Sequence, residues 1–564
     1  MKNISFEVKY SIGKREYDIP LTENKHFRID YELSDSSFKA KIISKACITL
    51  KSVDVHFARE FKPGDKFFAN GYQSWTTSKE YTVSDSEKDI TPIAVGEALH
   101  NFAGISSDCR FAKHTCEQGQ FVSHCYTYIR NGEAVDFYGS LSERQGFTVF
   151  YADMVRSMMR VSKDVEGVSI NGCEYELFDI VMLSGAYDEV FDRYFELMGV
   201  KKPRLSHMSG YTSWYNYFGK IDENIIERDL NSLDRLKESV SVFQVDDGYE
   251  TAVGDWLKHN EKKFPKGMKY IADKIHEKGY MAGIWIAPFN AQTSSDLLRK
   301  HPDWFIKSKH GLPQIGVAAW GGAAVLDLYN ENAREYIRHF FDVVLNDWGY
   351  DMVKLDFLYS QCLYPRNNKS RGTIMCEAMD FLRECCGDKL ILGCGVPLGA
   401  AFKVVDACRI SCDVDLKYSG KFYNVLHINS EVPSAKNAIT NSVFRRHLDG
   451  RVFVNDPDVF FMRYSNLDFN MDQKHLLAGI NHLFGNVLFV SDDAKEYNSK
   501  DAEVVRKAFA VCDKKVISAD IDGDDGRIVL LDGETEKVFR FNMKTGQSNA
   551  DEIFGFESLE GENK

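Results

Sequence analysis

Residues Met352 to Phe357, reading MVKLDF, decide the fold. A short apolar run that ends in an acid and an aromatic reads as a buried strand delivering side chains at its carboxyl end. Lys354 and Asp356 are two apart, so on a strand they share one face. Seven more segments of this kind surround it: Met208 to Trp214, Ser241 to Asp246, Tyr280 to Ala287, Leu390 to Gly395, Ala407 to Asp413, Arg451 to Asp456 and Asn486 to Ser491. Between most of them lie helical stretches at Glu223 to Glu238, Lys269 to Lys278, Asn332 to Trp348, Gly372 to Cys386 and Lys436 to His447. Strand alternating with helix is the rhythm of a parallel β/α fold. Eight such units predict a closed (β/α)8 TIM barrel. A doubly wound open sheet is the rival, but its GxGxxG signature is missing, so a dinucleotide has no evident seat.

The flanks read differently. Residues 1–199 are dominated by strand formers, as in Phe6 to Tyr10, Val53 to Phe57, Phe121 to Ile129 and Gly146 to Ala152, cut by Gly, Asp and Asn turns. That pattern predicts a large antiparallel β domain. The barrel is assigned to residues 200–499. Residues 500–564 return to strand pieces, Lys515 to Ala519, Arg527 to Leu531 and Lys537 to Phe541, and predict a small β cap. The class is therefore multidomain α/β.

Composition narrows function by exclusion. A formal charge of −13 offers no footprint for a nucleic-acid backbone or an anionic membrane. No apolar run follows the first lysine, and no stretch of ~18 apolar residues occurs, so neither a secretion signal nor a membrane span is expected. Thirteen scattered cysteines, with Cys385 and Cys386 adjacent, read as reduced thiols in a cytoplasmic protein. Cys408 and Cys412 lack the partner pair of a closed zinc site, HExxH is missing, and so is the G-x-S-x-G elbow. A structural zinc site is therefore not expected.

What remains is the chemistry of the strand ends, which read TSW, QVDDG, WIAP, KLDF, LGCG, CRISCD, VNDPD and VSDD in order. Barrel active sites lie at that edge. An aspartate beside a cation, as Asp356 is beside Lys354, stays ionised and competent as a nucleophile, although a structural ion pair at the rim is the competing reading. Asp413 runs past the end of strand six, with Arg409 able to hold a hydroxyl or orient a carboxylate. A carboxyl near another carboxylate in a partly closed pocket is expected to have a raised pKa and to serve as general acid. Asp246 and Asp247 can both face the pocket only if the chain turns at Gly248. Asp255 is read as structural or as a support behind the site. Trp75, Trp214 and Trp285 are candidate sugar platforms, with Trp320 of AAWGGAA on a loop over the mouth; Cys394 and Gly395 can line the pocket.

The chain resembles the α-galactosidases of glycoside hydrolase family 36, in their compact bacterial form. The matching stretches, in family order, include GYQSWT (Gly71 to Thr76), VDDGYE (Val245 to Glu250), GDW (Gly254 to Trp256), AGIWIAPF (Ala282 to Phe289), HPDW (His301 to Trp304), VKLDFLY (Val353 to Tyr359), ILGCGVPL (Ile391 to Leu398), CRISCD (Cys408 to Asp413) and NDPD (Asn455 to Asp458). The resemblance implies an N-terminal β-supersandwich, a catalytic barrel and a C-terminal antiparallel β domain. It implies a retaining double displacement on terminal α-galactosyl groups that uses neither a metal nor an organic cofactor, with Asp356 as nucleophile and Asp413 as acid/base, and retention needs two carboxyls about 5 to 5.5 Å apart. By the same resemblance Asp246 and Asp247 hold O4 and O6 of the sugar, Lys354 approaches O3 and O4, and Arg409 sits beside O2. Trp75 and Trp285 form walls, and Cys394 and Gly395 lie near O2. Self-association is a further expectation of the family. Two departures, the small-residue stretch IGVAAWGGAAVLDL and Cys412 before the acid/base, flank the subsite. They leave α-N-acetylgalactosaminidase as the alternative, with a non-catalytic carbohydrate-binding protein as the reading from another class.

Overall fold

The computed structural model describes residues 1–87, 105–419, 431 and 433–556. The N-terminal region is two facing antiparallel sheets of seven strands each. The first carries Lys2–Ile12, Ile48–Ala58, Met158–Asp164 and Thr148–Asp153 side by side; the second carries Ser37–Ser44, Glu174–Ala186, Ala134–Ser140 and Tyr126–Asn131. Strand Ser37–Ser44 buries every second residue, and Phe38, Ala40 and Ile42 meet Val8, Tyr10, Val53, Val55 and Phe57 of the opposite sheet in one core. Period-two burial on both inner faces is what a sandwich requires. The run Phe121 to Ile129 is two strands, not one. It breaks at Cys125, whose φ of 66° turns the chain a corner, so Gln120–His124 joins the first sheet and Tyr126–Asn131 the second.

The barrel follows helix Tyr187–Met198, which ends on Gly199 in the left-handed conformation. Its parallel strands are Met208–Thr212, Val242–Val245, Met281–Ile286, Met352–Leu355, Leu390–Gly393, Ala407–Arg409, Val454–Asp456 and Val487–Val490, one for each predicted unit. Strands one and eight pair in register, Met208 opposite Val487. Strand seven closes the ring in two pieces: Val454–Asp456 pairs with strand six, and Val459–Phe460 pairs with strand eight. The break falls at Pro457, which has no N–H to give a ladder, followed by Asp458 at φ 78°. All four residues of strands two, four and eight are buried, as a layer-filled barrel interior demands.

Helices Glu223–Ser232, Gly267–Glu277, Glu331–Asp342, Arg371–Cys386 and Ala435–Phe444 surround the strands at the predicted places. The loop after strand three grows into a small antiparallel sheet, Asn290–Gln292, Ala323–Val325 and Ile315–Val317, which presents Trp320. Helix Ser499–Phe509 follows strand eight, and its Phe509 packs edge-on against Phe460 of strand seven. A three-stranded antiparallel sheet, Lys515–Asp522, Asp525–Asp532 and Thr535–Asn542, completes the chain with helix Ala550–Phe554. The thirteen cysteines form no disulfide. Among the described residues no helix is long and apolar enough to cross a membrane.

Candidate active site

Strand four ends at Leu355 and leaves Asp356 at the barrel mouth, 8% exposed. Its two oxygens are each fixed. Trp285 at the end of strand three donates its Nε1–H to Oδ2 at 3.0 Å, and the Phe357 amide donates to Oδ1 at 2.8 Å. Burial raises the proton affinity of this carboxyl above the ordinary aspartate value, and Asp413 adds to the rise; Lys354 and the Trp285 donor oppose it. Lys354 shares the strand face, as its spacing predicts, and donates to Asp246 Oδ2 at 2.9 Å. Burial works against its charge, but Asp246 outweighs that and holds the ammonium above its usual pKa.

Asp246 also accepts from Gln244 Nε2 at 2.7 Å. Gly248 turns the chain behind the acid pair at φ 119°, where an added Cβ would lie 2.8 Å from Gly219. Asp247 accepts from Trp320 Nε1 at 2.9 Å, which ties the loop after strand three to the end of strand two. Burial raises the pKa of Asp247, and that of Glu250 beside it is raised by burial and by Asp247 itself.

The N-terminal region contributes Trp75 on a loop pushed into the mouth. Ser74 N–H donates to the Val396 carbonyl at 3.0 Å, and Trp75 Nε1 donates to Cys394 Sγ at 3.3 Å. Gly395, at φ 58°, lies under the indole: a Cβ there would be 2.9 Å from the ring and 3.1 Å from the Phe357 amide. The loop is anchored by Arg445, fully buried and, among the described residues, without a carboxylate partner. Its guanidinium donates to the carbonyls of Gly71, Gln73, Ser74 and Ile410. Burial pulls its pKa down to about 10.

On the far side, Arg409 of strand six reaches three carboxylates. Nη1 donates to Asp413 Oδ1 at 2.9 Å, Nη2 meets Asp458 Oδ1 at 2.8 Å, and Nε donates to Asp456 Oδ2 at 3.3 Å. Asp413 departs here from the expectation of a raised pKa. Burial pushes that way but is outweighed by Arg409, Lys354 and the hydrogen bonds of Tyr215 and Arg409, and its carboxyl sits below the ordinary value. Asp356 and Asp413 nonetheless act on each other, and the Cys394 thiol feels both, together with Lys354 and Arg409.

Contacts and charges link the ten candidate residues, Trp75, Asp246, Asp247, Trp285, Lys354, Asp356, Cys394, Gly395, Arg409 and Asp413, pairwise near the carboxyl ends of the barrel strands, Asp247 through Trp320. Trp285 is 2% exposed and spends its N–H on Asp356. Trp214 starts a short helix and packs edge-on against Phe218. Asp255 accepts from the amides of Asp296 and Leu297 at 2.9 Å each, a structural cap on the helix Asp296–Lys300. The residues that reading missed are Tyr215, Glu250, Arg445, Asp456 and Asp458. Among the described residues no group of His, Cys, Asp and Glu is placed to hold a metal ion.

Comparison with known proteins sharpens the picture. A family model described as Melibiase matches residues 217–372, a span that includes strands two to four, with Asp246, Asp247, Trp285, Lys354 and Asp356. The α-galactosidase TtGalA of Thermus thermophilus, solved in complex with p-nitrophenyl α-D-galactopyranoside, superposes with a TM-score of 0.68 at 25% identity, covering 90% of this chain and 98% of that one. The chain thus matches the family 36 α-galactosidases in fold and, over residues 217–372, in the Melibiase family model. The family 36 α-galactosidase AgaA of Geobacillus stearothermophilus shares the fold at 12% identity, with a TM-score of 0.60 over 95% of this chain and 81% of its own. Among curated relatives, an α-galactosidase of Escherichia coli is 32% identical over 151 residues, 26% of this chain and 20% of that protein. A blood-group-A α-D-galactosamine galactosaminidase of Flavonifractor plautii is 30% identical over 151 residues, 25% of this chain and 14% of that protein.

Proposed function

We propose that this protein is a family 36, retaining, exo-acting α-galactosidase that hydrolyses terminal α-D-galactosyl residues from oligosaccharides such as melibiose and raffinose. The observation that supports the reading is a buried carboxylate with a donor on each oxygen, Asp356, that feels the charge of a second carboxylate held by a guanidinium, Asp413. Asp413 protonates the glycosidic oxygen while Asp356 attacks C1 through an oxocarbenium-like state, giving a β-linked galactosyl-enzyme. Asp413, then a carboxylate, takes a proton from water, and attack from the original face restores the α configuration. Asp246, Asp247, Lys354 and Arg409 supply charged partners for the sugar hydroxyls, and Trp75 over Cys394 and Gly395 supplies an aromatic wall. Thirteen cysteines without a disulfide support a cytoplasmic location.

The test is Asp356→Gly assayed on p-nitrophenyl α-galactoside. Turnover is expected to vanish and to return in part with azide, which yields β-galactosyl azide; turnover at the wild-type rate would refute the assignment. The second reading, α-N-acetylgalactosaminidase, is favoured by the Flavonifractor relative. Parallel assays on the nitrophenyl α-galactoside and its N-acetylgalactosaminide, then on raffinose and melibiose, separate the two.

A further inference from the structure

The mechanism asks Asp413 to hold a proton, yet Arg409 and Lys354 outweigh burial and keep its carboxyl below the ordinary aspartate range. Its surroundings contain a place to keep that proton. Strand seven breaks at Pro457, and the left-handed turn of Asp458 swings its carboxyl against the guanidinium of strand six. Asp458 is fully buried; Oδ2 accepts from the Tyr215 hydroxyl and from the Val414 amide at 2.7 Å, and Oδ1 lies 2.8 Å from Arg409 Nη2. Asp456 fixes the Asp458 amide at 2.8 Å and takes Arg409 Nε. Lys354, the other cation acting on Asp413, is bonded to Asp246. Three carboxyl groups thus face one guanidinium, and like charges so close cannot all ionise.

Resting on the assignment of Asp413 as acid/base, we propose that Asp458 stores the proton Asp413 delivers, and that the Tyr215 hydroxyl passes it between them. Burial, Asp413 and Asp456 together push the Asp458 carboxyl up to about 7 against the pull of Arg409 and Tyr215, so it is the member that protonates near neutrality. Tyr215 donates to Asp458 and also holds down the proton affinity of Asp413, and burial keeps its own hydroxyl from ionising. In the transfer the Asp458 carboxyl proton moves to the Tyr215 oxygen as the Tyr215 hydroxyl proton moves to Asp413. One proton travels, and the tyrosine is unchanged.

Substrate is the trigger. The Asp413 side chain is 45% exposed in the open site, whereas that of Asp458 is sealed. A sugar seated over Asp356 strips water from Asp413 and raises its proton affinity, while Asp458 has no water left to lose. The proton then lies where the leaving oxygen needs it. In the second half of the reaction Asp413 regains a proton from the attacking water, and it returns to Asp458 as product departs.

Tyr215→Phe removes the path and leaves every carboxyl and Arg409 in place; Asp458→Asn removes the store but keeps acceptor and donor atoms. For each, the pH profile of kcat/KM is measured on p-nitrophenyl α-galactoside and on melibiose, with thermal melts to confirm folding. The wild-type basic limb is expected near pH 7. In both variants it moves to lower pH, and melibiose turnover falls about 100-fold, the scale of a general-acid contribution. The aryl substrate, whose leaving group needs little protonation, falls far less. An unmoved basic limb in folded Tyr215→Phe, or equal losses on both substrates, overturns the relay. Asp413→Ala run on the same pair keeps the two ideas apart: if it shows no dependence on leaving group, the acid/base assignment fails.

Discussion

Trp285→Phe tests how the nucleophile is kept ionised. The substitution removes one N–H donor, 3.0 Å from Asp356 Oδ2, and leaves an aromatic ring against Trp256 and Trp320. A hydrogen bond to a charged group contributes about 1.5–3 kcal/mol, and 1.36 kcal/mol corresponds to one pKa unit, so loss of the donor should raise the Asp356 pKa by roughly one to two units. The sign follows from the mechanism. Attack needs the carboxylate, so the Asp356 pKa sets the acid limb of kcat/KM, and that limb should move to higher pH by the same amount. The assay is kcat/KM on p-nitrophenyl α-galactoside across the acid range, with the Phe variant's far-ultraviolet dichroism as a folding check. Trp320→Phe is the control, because its N–H goes to Asp247. It should raise KM and leave the acid limb alone. An acid limb unchanged in Trp285→Phe, or one displaced equally in Trp320→Phe, would refute the argument that the indole donor sustains the nucleophile's charge.

Gly395→Ala places a Cβ 2.9 Å from the Trp75 ring and forces an alanine to φ 58°, a conformation costing about 1–2 kcal/mol; the melting temperature should fall and KM rise together as the indole is displaced. Asp356→Asn should stabilise the fold. A carboxyl whose folded pKa is raised loses its proton first in the unfolded chain, so stability falls as pH climbs through the unfolded value and the cost is complete above the folded one. Melts at pH 4 and pH 7 should therefore show a gain for the variant that is larger at pH 7. Arg445→Met leaves the carbonyls of Gly71 and Ser74 without their donor, at about 1–3 kcal/mol for each buried group, while those of Gln73 and Ile410 keep the Thr76 amide and the Asn441 side chain; soluble yield and melting temperature should drop.

The eight barrel strands were legible because each buried parallel strand is a compact apolar run, and because their carboxyl ends carry acids and aromatics that packing alone does not call for. Lys354 and Asp356 followed from spacing on one strand. Corners were harder to see. Phe121 to Ile129 is unbroken in pattern, and only the separate pairing of its halves with two sheets makes Cys125 a turn. The sheet that lifts Trp320 over the mouth uses strands of three residues, too short for a periodic signal. Arg445 was invisible for a different reason. An arginine after a helix ordinarily reads as solvated, and its carbonyl partners come from segments some 35 to 374 positions away. Asp456 and Asp458 were in plain view in NDPD, and neighbouring barrel strands put Arg409 opposite Asp456 in register. What sequence could not supply was the left-handed turn after Pro457 that aims Asp458 at the same guanidinium.

That turn bears on why the two carboxyls of the mouth differ. Asp356 has a neutral donor on each oxygen, the indole and a backbone amide, so its orientation is set without a full cation in direct contact. Burial can then raise its proton affinity while Lys354, two residues back on the same face, limits the rise. Asp413 has the reverse arrangement, a partly exposed side chain bonded directly to a guanidinium that also serves Asp456 and Asp458. Its ionisation therefore depends on how many of its acidic neighbours are protonated and on how much water reaches it. Both quantities change when a sugar fills the mouth, whereas the donors on Asp356 do not. The fold thus makes one carboxyl insensitive to occupancy and the other responsive to it, and a double displacement needs that asymmetry, since Asp413 alone must be an acid in one half of the cycle and a base in the other.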